Sequence, residues 1–325
     1  MAGQRKISGI LIAGALTLLG PHPFVGTAHG QVLPTTINEI FMYGVDADTN
    51  KLLRYDLNAD EFVTVGTVVN QFGNTVVDLE GMAYIPSGPH KGFYATTNFL
   101  DKNPTRLVKI NALDATAELY SQPVGFWKVT GLVPYQDPGT GEWSLLGTTK
   151  NTNKADLKAK LISINPTNGT GTQLMDLGIM LMTGLAMDAN GTLYGVDRGL
   201  NLAGEIPPGT DSDLYIIDPW SSPQTLTHVA PLPWNKVEAL EFAFGKFGPV
   251  IDLSTVAGIN PADPTWSAAG VLFGFSDAFD MLMIINPVTG AAVPYPGSFT
   301  TLDCEGLVFC TVRDDPLYGV LRGFD

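Results

Sequence analysis

Histidine is nearly missing from this chain. Four occur, and His22 and His29 fall in the first thirty residues. That leaves His90 and His228, too few for a His-rich metal cage and without a recognisable partner for a Ser-His-Asp triad. Cysteine is scarcer still, with only Cys304 and Cys310. Six residues of one extended strand separate two positions by about 20 Å, far beyond disulfide reach. Two buried thiols are therefore expected unless the chain turns back between them. Basic residues are outnumbered, 18 Lys and Arg against 32 Asp and Glu, for a formal charge of −14. Such a surface argues against nucleic-acid binding, which needs cations to neutralise phosphates. It also disfavours adsorption to anionic membranes, while leaving cations as ligands. Sequence patterns of the form G-x-S-x-G, G-x-G-x-x-G and G-x-x-x-x-G-K-S/T are absent. After residue 31 no apolar run approaches membrane length.

The first thirty residues read as a signal peptide. Arg5 and Lys6 form a basic start, Ile7 to Leu19 is an apolar stretch too short to span a bilayer unaided, and Ala28-His29-Gly30 puts small residues at the cleavage positions. Cleavage would start the mature chain near Gln31, raise the formal charge to −16, and place a protein without a membrane span in the periplasm or outside the cell.

What the chain does have is repetition. Glu80-Gly81-Met82-Ala83-Tyr84, Thr130-Gly131-Leu132-Val133-Pro134, Thr183-Gly184-Leu185-Ala186-Met187, Glu238-Ala239-Leu240-Glu241-Phe242 and Glu305-Gly306-Leu307-Val308-Phe309 are five versions of one phrase. Each is a Glu or Thr, a small residue, Leu or Met, then an apolar run. The opening residues are spaced by 50, 53, 55 and 67. A second ruler, the Asp or Asn closing a later strand at Asp56, Asn111, Asn165, Asp218 and Asn286, is spaced by 55, 54, 53 and 68. Both rulers lengthen in the fourth interval, marking an insertion over about 246–268 that reads as a long loop projecting from one face.

Between the phrases lie short strands and turns. Phe41–Val45, Leu52–Asp56 and Phe62–Gly66 form one meander, and the pattern recurs through Gly92–Thr96, Leu193–Asp197 and Leu282–Asn286. Asn165-Pro166-Thr167-Asn168-Gly169 and Asn286-Pro287-Val288-Thr289-Gly290 suit type I turns ending at positive φ, and Asn190-Gly191 suits a tight hairpin. Four-stranded meanders of roughly 50 residues predict an all-β fold, a β-propeller. Residues 31–325 form this single domain, with about five blades. The N-terminal unit lacks the Glu/Thr-Gly-Leu strand, so the C-terminal copy at 303–309 closes the ring. Leu317-Tyr318-Gly319-Val320 resembles one more second strand, and a sixth blade shared between the termini is the alternative.

The first strand of each blade lines the axis, so Glu80, Thr130, Thr183, Glu238 and Glu305 are expected to form a ring at one mouth. Two residues upstream stand Asp78, Lys128, Leu181, Lys236 and Asp303, expected on the same strand face. Oxygen-rich and His-poor, this set suits Ca²⁺, held by Glu80, Glu238, Glu305, Asp78 and Asp303. The competing reading is structural: ring side chains hydrogen-bond neighbouring backbone, and the two lysines neutralise the carboxylates. Asp46-Ala47-Asp48-Thr49-Asn50 begins like a calcium loop, but Lys51 and Leu57 break the EF-hand pattern and leave a hairpin turn. Trp127, Trp220, Trp234 and Trp266 fall in loops, where they either pack between blades or line a glycan groove.

The stretch from Thr183 to Tyr194 resembles the blade signature of secreted bacterial propellers of the broad NHL, gluconolactonase-like and phytase-like group. Asp78-Leu79-Glu80-Gly81-Met82 and Asp303-Cys304-Glu305-Gly306-Leu307 resemble the D-x-E-G-L strands of its phytase-like members. The likeness covers most of residues 40–320. It implies a propeller and, for members that are enzymes, catalysis through axial carboxylates and Ca²⁺. Here Thr occupies two ring positions and Lys two flanking ones, and no basic phosphate pocket is evident. The leading expectation is a binding or structural module without catalysis, with a small molecule, glycan or protein as its partner. A Ca²⁺-dependent hydrolase of lactones or phosphoesters is the alternative.

Overall fold

The computed structural model describes residues 40–56, 61–98, 105–149, 158–198, 211–243, 253–268, 270–295 and 304–311. The first thirty residues, read as a signal peptide, Asp303 and Leu317-Tyr318-Gly319-Val320 lie outside them.

The described strands form five sheets, each one blade of a propeller. The first blade contains β1 (Ile40–Asp46), β2 (Lys51–Asp56) and β3 (Glu61–Thr67). A two-residue strand, β4 (Val69–Asn70), leads to the second blade, β5 (Leu79–Ile85), β6 (Gly92–Thr97), β7 (Arg106–Ile110) and β8 (Thr116–Pro123). The third is β9 (Val129–Gln136), β10 (Trp143–Thr149), β11 (Lys160–Ile164) and β12 (Gly171–Asp176). The fourth is β13 (Met182–Met187), β14 (Leu193–Asp197), β15 (Asp213–Asp218) and β16 (Thr225–Pro231). The fifth is β17 (Val237–Ala243), β18 (Val271–Ser276), β19 (Met281–Ile285) and β20 (Ala292–Pro294). The last strand, β21 (Cys304–Thr311), pairs antiparallel with β1 and completes the first blade. Five blades, rather than six, account for every sheet among the described residues.

Each blade is a meander because its turns reverse the chain cheaply. Gly169 and Gly290 close the third-to-fourth strand turns at φ 79° and 70°, a region open to glycine at little cost. The Asn165 and Asn286 side chains accept the backbone N–H two residues on, at 2.8 and 2.9 Å. Strand β4 adds a parallel fifth strand outside β8. It is too short to have shown in the sequence pattern.

One sheet exposes two faces and cannot bury both alone. Five hydrophobic clusters fill the five seams between blades. Phe41 and Tyr43 meet Phe93 and Tyr84 between the first and second blades, with the Tyr43 and Phe93 rings 4.8 Å apart. Leu145 and Ile162 pack on Ala83 and Tyr94 in the next seam. Each large side chain withdrawn from water stabilises the fold by roughly 1.5–3 kcal/mol. The closing seam, between the fifth and first blades, joins Phe273, Phe275 and Leu282 to Met42, Tyr55, Leu307 and Phe309. The insertion differs from the expected projecting loop. Its described part makes two 3-10 turns, Leu253–Thr255 and Pro264–Trp266, and buries Leu253, Val256, Ile259 and Trp266 in this closing seam. Apolar residues at those four positions make packing more favourable than projection into water.

Both cysteines lie in β21, which runs unbroken from Cys304 to Thr311. Without a reversal between them they stay about 20 Å apart and cannot bridge to each other.

Candidate functional site: the axial mouth

The inner strands β5, β9, β13, β17 and β21 stand side by side around the axis. Their glycines set how closely they approach. A Cβ on Gly306 would lie 2.5 Å from the Met82 nitrogen, and one on Gly81 would lie 2.6 Å from the Thr130 oxygen. Gly131 and Gly184 meet the following inner strand in the same way. Backbone therefore packs on backbone, and the axial cavity holds only about 160 Å³ of empty space. Thr130, Thr183, Glu238 and Glu305 line it, together with the glycines.

Four of the five expected ring residues line this cavity and Glu80 feels the charge of Glu238, but the placement does not rest on simple pleating. In every blade the pairing of the inner strand with its neighbour slips by one residue at the ring position, between Glu80 and Met82, Met182 and Gly184, and Val237 and Ala239. The same slip occurs beside Thr130 and beside Glu305. Such a bulge re-aims the side chain it carries. The upstream set also departs from expectation. Asp78, Lys128 and Lys236 precede their strands and take left-handed φ values of 52°, 42° and 50°. They belong to the turns leading into the inner strands, so the two-residue alternation that would put them on one strand face does not apply. Asp303 lies outside the described residues.

The two threonines act as ties between blades. Thr130 Oγ1 donates to the Met182 carbonyl of the next blade at 2.6 Å, and Thr183 Oγ1 donates to the Val237 carbonyl at 2.6 Å. In the second blade a glutamate stands at this place, and Thr96 from β6 supplies the bond, to Val129 O at 2.7 Å. The matching Thr148 of β10 likewise donates to Met182 O, at 2.9 Å, so this second-strand hydroxyl ties the blades whichever residue holds the ring position.

Glu238 is enclosed, at 1% exposure, and forms an ion pair with Arg198 from the loop after β14. The guanidinium also lies 3.8 Å from Asp277 Oδ2, which receives Lys236 Nζ at 3.0 Å. Lys236 thus turns outward to Asp277. Glu80 is equally enclosed, with Oε2 buried and without a hydrogen bond. Burial, and then the negative charge of Asp78, push its carboxyl up to about 7, against the opposing pull of Lys128 and the Asn98 amide. Glu238 adds a smaller repulsion of the same sign. At neutral pH the mouth therefore holds one carboxyl poised between protonation states beside one neutralised by Arg198.

Among the described residues no three His, Cys, Asp or Glu side chains form a metal-holding group, and Asp303, one of the expected ligands, lies outside them. Arg198 pairs with Glu238 through Oε1, while Glu238 Oε2 is enclosed without a hydrogen bond. The sequence pattern gave no sign of Arg198, Asn98 or Asp277 at the mouth. All three follow the residue of the second strand that pairs opposite the start of the inner strand, Asp197, Thr97 and Ser276. The register of the first hairpin, applied across the repeat, carries that signal.

The other histidines have local roles. His228 Nε2 lies 2.9 Å from Asp213 Oδ1, at an exposed position on β16. His90 Nε2 lies 3.3 Å from Thr167 Oγ1. Of the tryptophans, Trp266 is core, whereas Trp127 and Trp220 are 39% and 49% exposed.

No protein-family model matches the sequence, and no curated protein matches it. Solved structures share its fold. The propeller in a crystal structure of a nidogen/laminin complex superposes with a TM-score of 0.51 at 15% identity, covering 85% of this chain and 82% of that one. TolB from Acinetobacter baumannii gives 0.43 at 10% identity, covering 82% of this chain and 66% of that one.

Proposed function

We propose that this protein is a secreted β-propeller that works as a binding or structural module and engages its partner on a face of the ring, without catalysis at the axis. One observation carries this reading. The axial cavity is narrow, about 160 Å³ counted with its open mouth, because backbone packs on backbone around it. Thr130 and Thr183 are also committed to neighbouring carbonyls, and Glu238 is paired with Arg198 through Oε1. The basic start and apolar stretch of the first thirty residues support export, with the mature chain beginning near Gln31. The crystal structure of a nidogen/laminin complex, which shares the fold, offers a fold-level parallel for engaging a protein partner.

The test is turnover. Purified mature protein incubated with a panel of esters, lactones and phosphoesters is expected to give no product above background. Product formation abolished by Glu305→Gln would overturn the reading.

A Ca²⁺-dependent hydrolase is the second reading. It is favoured by the enclosed, hydrogen-bond-free Oε2 of Glu80 and by the three glutamates in the ring. It requires Glu238 to exchange Arg198 for the metal and Asp303 to join as a ligand. Metal analysis of the purified protein, with melting followed with and without chelator, separates the two. Bound calcium and a chelator-dependent fall in melting temperature would favour the hydrolase.

A further inference from the structure

On the face opposite the axial mouth, where the inner strands end, Tyr135 of β9 and Trp220 of the β15–β16 turn stack across two blades. Their ring centroids are 4.9 Å apart and their planes 23° apart. Tyr135 covers one face of the indole, and Trp220 is still 49% exposed.

The ring fold does not need a tryptophan there. The matching position, two residues after the Asx that opens the turn, holds Leu113, Thr167 and Val288 in three other blades. Yet the turn is held firmly. Asp218 Oδ1 accepts the N–H groups of Trp220 and Ser221 at 3.1 and 3.0 Å. Gln224 Nε2 reaches back to Leu174 O of the third blade and to Pro219 O, both at 2.9 Å. An exposed ring fixed by its backbone loses little entropy when a ligand covers it.

A carboxylate borders the shelf. Asp137 follows Tyr135 by two residues, and its charge adds to burial in raising the phenol above its ordinary value. One Asp137 oxygen is used by the N–H groups of Gly139 and Thr140.

We propose that the Tyr135–Trp220 shelf is a carbohydrate-binding site that receives the C–H face of a pyranose ring from an uncharged glycan, with the Asp137 carboxylate accepting its hydroxyls. Three ligand classes stack on indole: nucleobases, cations and sugars. Nucleic acid is disfavoured by a net charge of −14, as are acidic glycans. A quaternary cation is held best by an aromatic cage, whereas this shelf is one-sided. A flat ring with acceptors at its border matches the amphipathic pyranose. The inference rests on the binding-module reading and names its ligand class.

A glycan array carrying uncharged, amino-bearing and acidic pyranosides tests it. The strongest soluble oligosaccharide found is then titrated while tryptophan fluorescence is followed. Binding to uncharged glycans is expected. Trp220→Ala should weaken it by about tenfold or more, the scale of one lost stacking contact. Trp127→Ala, on the opposite face, should leave it unchanged, and an unaltered melting temperature for Trp220→Ala would show that the fold is intact. A blank array, hits confined to acidic glycans, or binding that survives Trp220→Ala would overturn the proposal. None of these produces turnover, so the failure of this inference and that of the binding-module reading remain distinguishable.

Discussion

Arg198 of the fourth blade reaches across a seam to the enclosed carboxylate of Glu238 at the axis of the fifth. The pair joins two blades and neutralises a charge that would otherwise be buried alone.

Removing the cation should therefore cost more than an ordinary surface pair. Arg198→Met is expected to destabilise the protein by about 3 kcal/mol, because it strands Glu238. Adding Glu238→Gln should recover most of that loss. Urea unfolding of both single variants and the double variant checks this; a double variant less stable than Arg198→Met would contradict it.

Glu80 gives a pH dependence. Its carboxyl titrates at about 7 in the fold against an ordinary value of 4.5, so the folded state holds the proton more tightly. The associated stability is fully present below about pH 4.5 and is lost as pH rises through about 7, on the order of 3 kcal/mol in all. Glu80→Gln should flatten this dependence. Urea midpoints at pH 5 and pH 8 should differ less in the variant than in the parent.

Glu241 sits three places beyond the ring, where the other inner strands carry Ala83, Val133, Ala186 and Val308. Its Oε2 is enclosed without a hydrogen bond, and burial holds its carboxyl well above the usual range. Here too the fold keeps the proton, so stability falls as pH rises above the ordinary carboxylate range. Glu241→Val should raise the melting temperature, and by more at pH 8 than at pH 5. An equal gain at both values would mean that the charge is immaterial.

Gly306 tests how the ring closes. Gly306→Ala would place a methyl group 2.5 Å from the Met82 nitrogen, against backbone that cannot turn aside. A loss of about 3 kcal/mol is expected, at the upper end for overpacking. Ala239→Gly, at the one inner strand that already carries a Cβ, should cost only about 1 kcal/mol. Thermal melts of the two variants compare them directly.

The repeat alone determined much of this protein. Hydrophobic runs and turn residues recur with the period of a blade, so strand positions, the axial glutamates and threonines, and closure by Glu305-Gly306-Leu307 followed from local chemistry. Tertiary structure decided the rest. Left-handed turns ahead of the inner strands took Asp78, Lys128 and Lys236 out of the alternation that would have carried them onto the strand faces. Arg198 entered the mouth from a loop distant in sequence from Glu238, and the insertion folded into the closing seam. The glycines in Glu/Thr-Gly-Leu show the difference most plainly. Each is a small residue in the sequence, but it serves the close approach of the next blade's backbone, which for Gly306 is Met82 near the other end of the chain, and only closing the ring brings that backbone within reach.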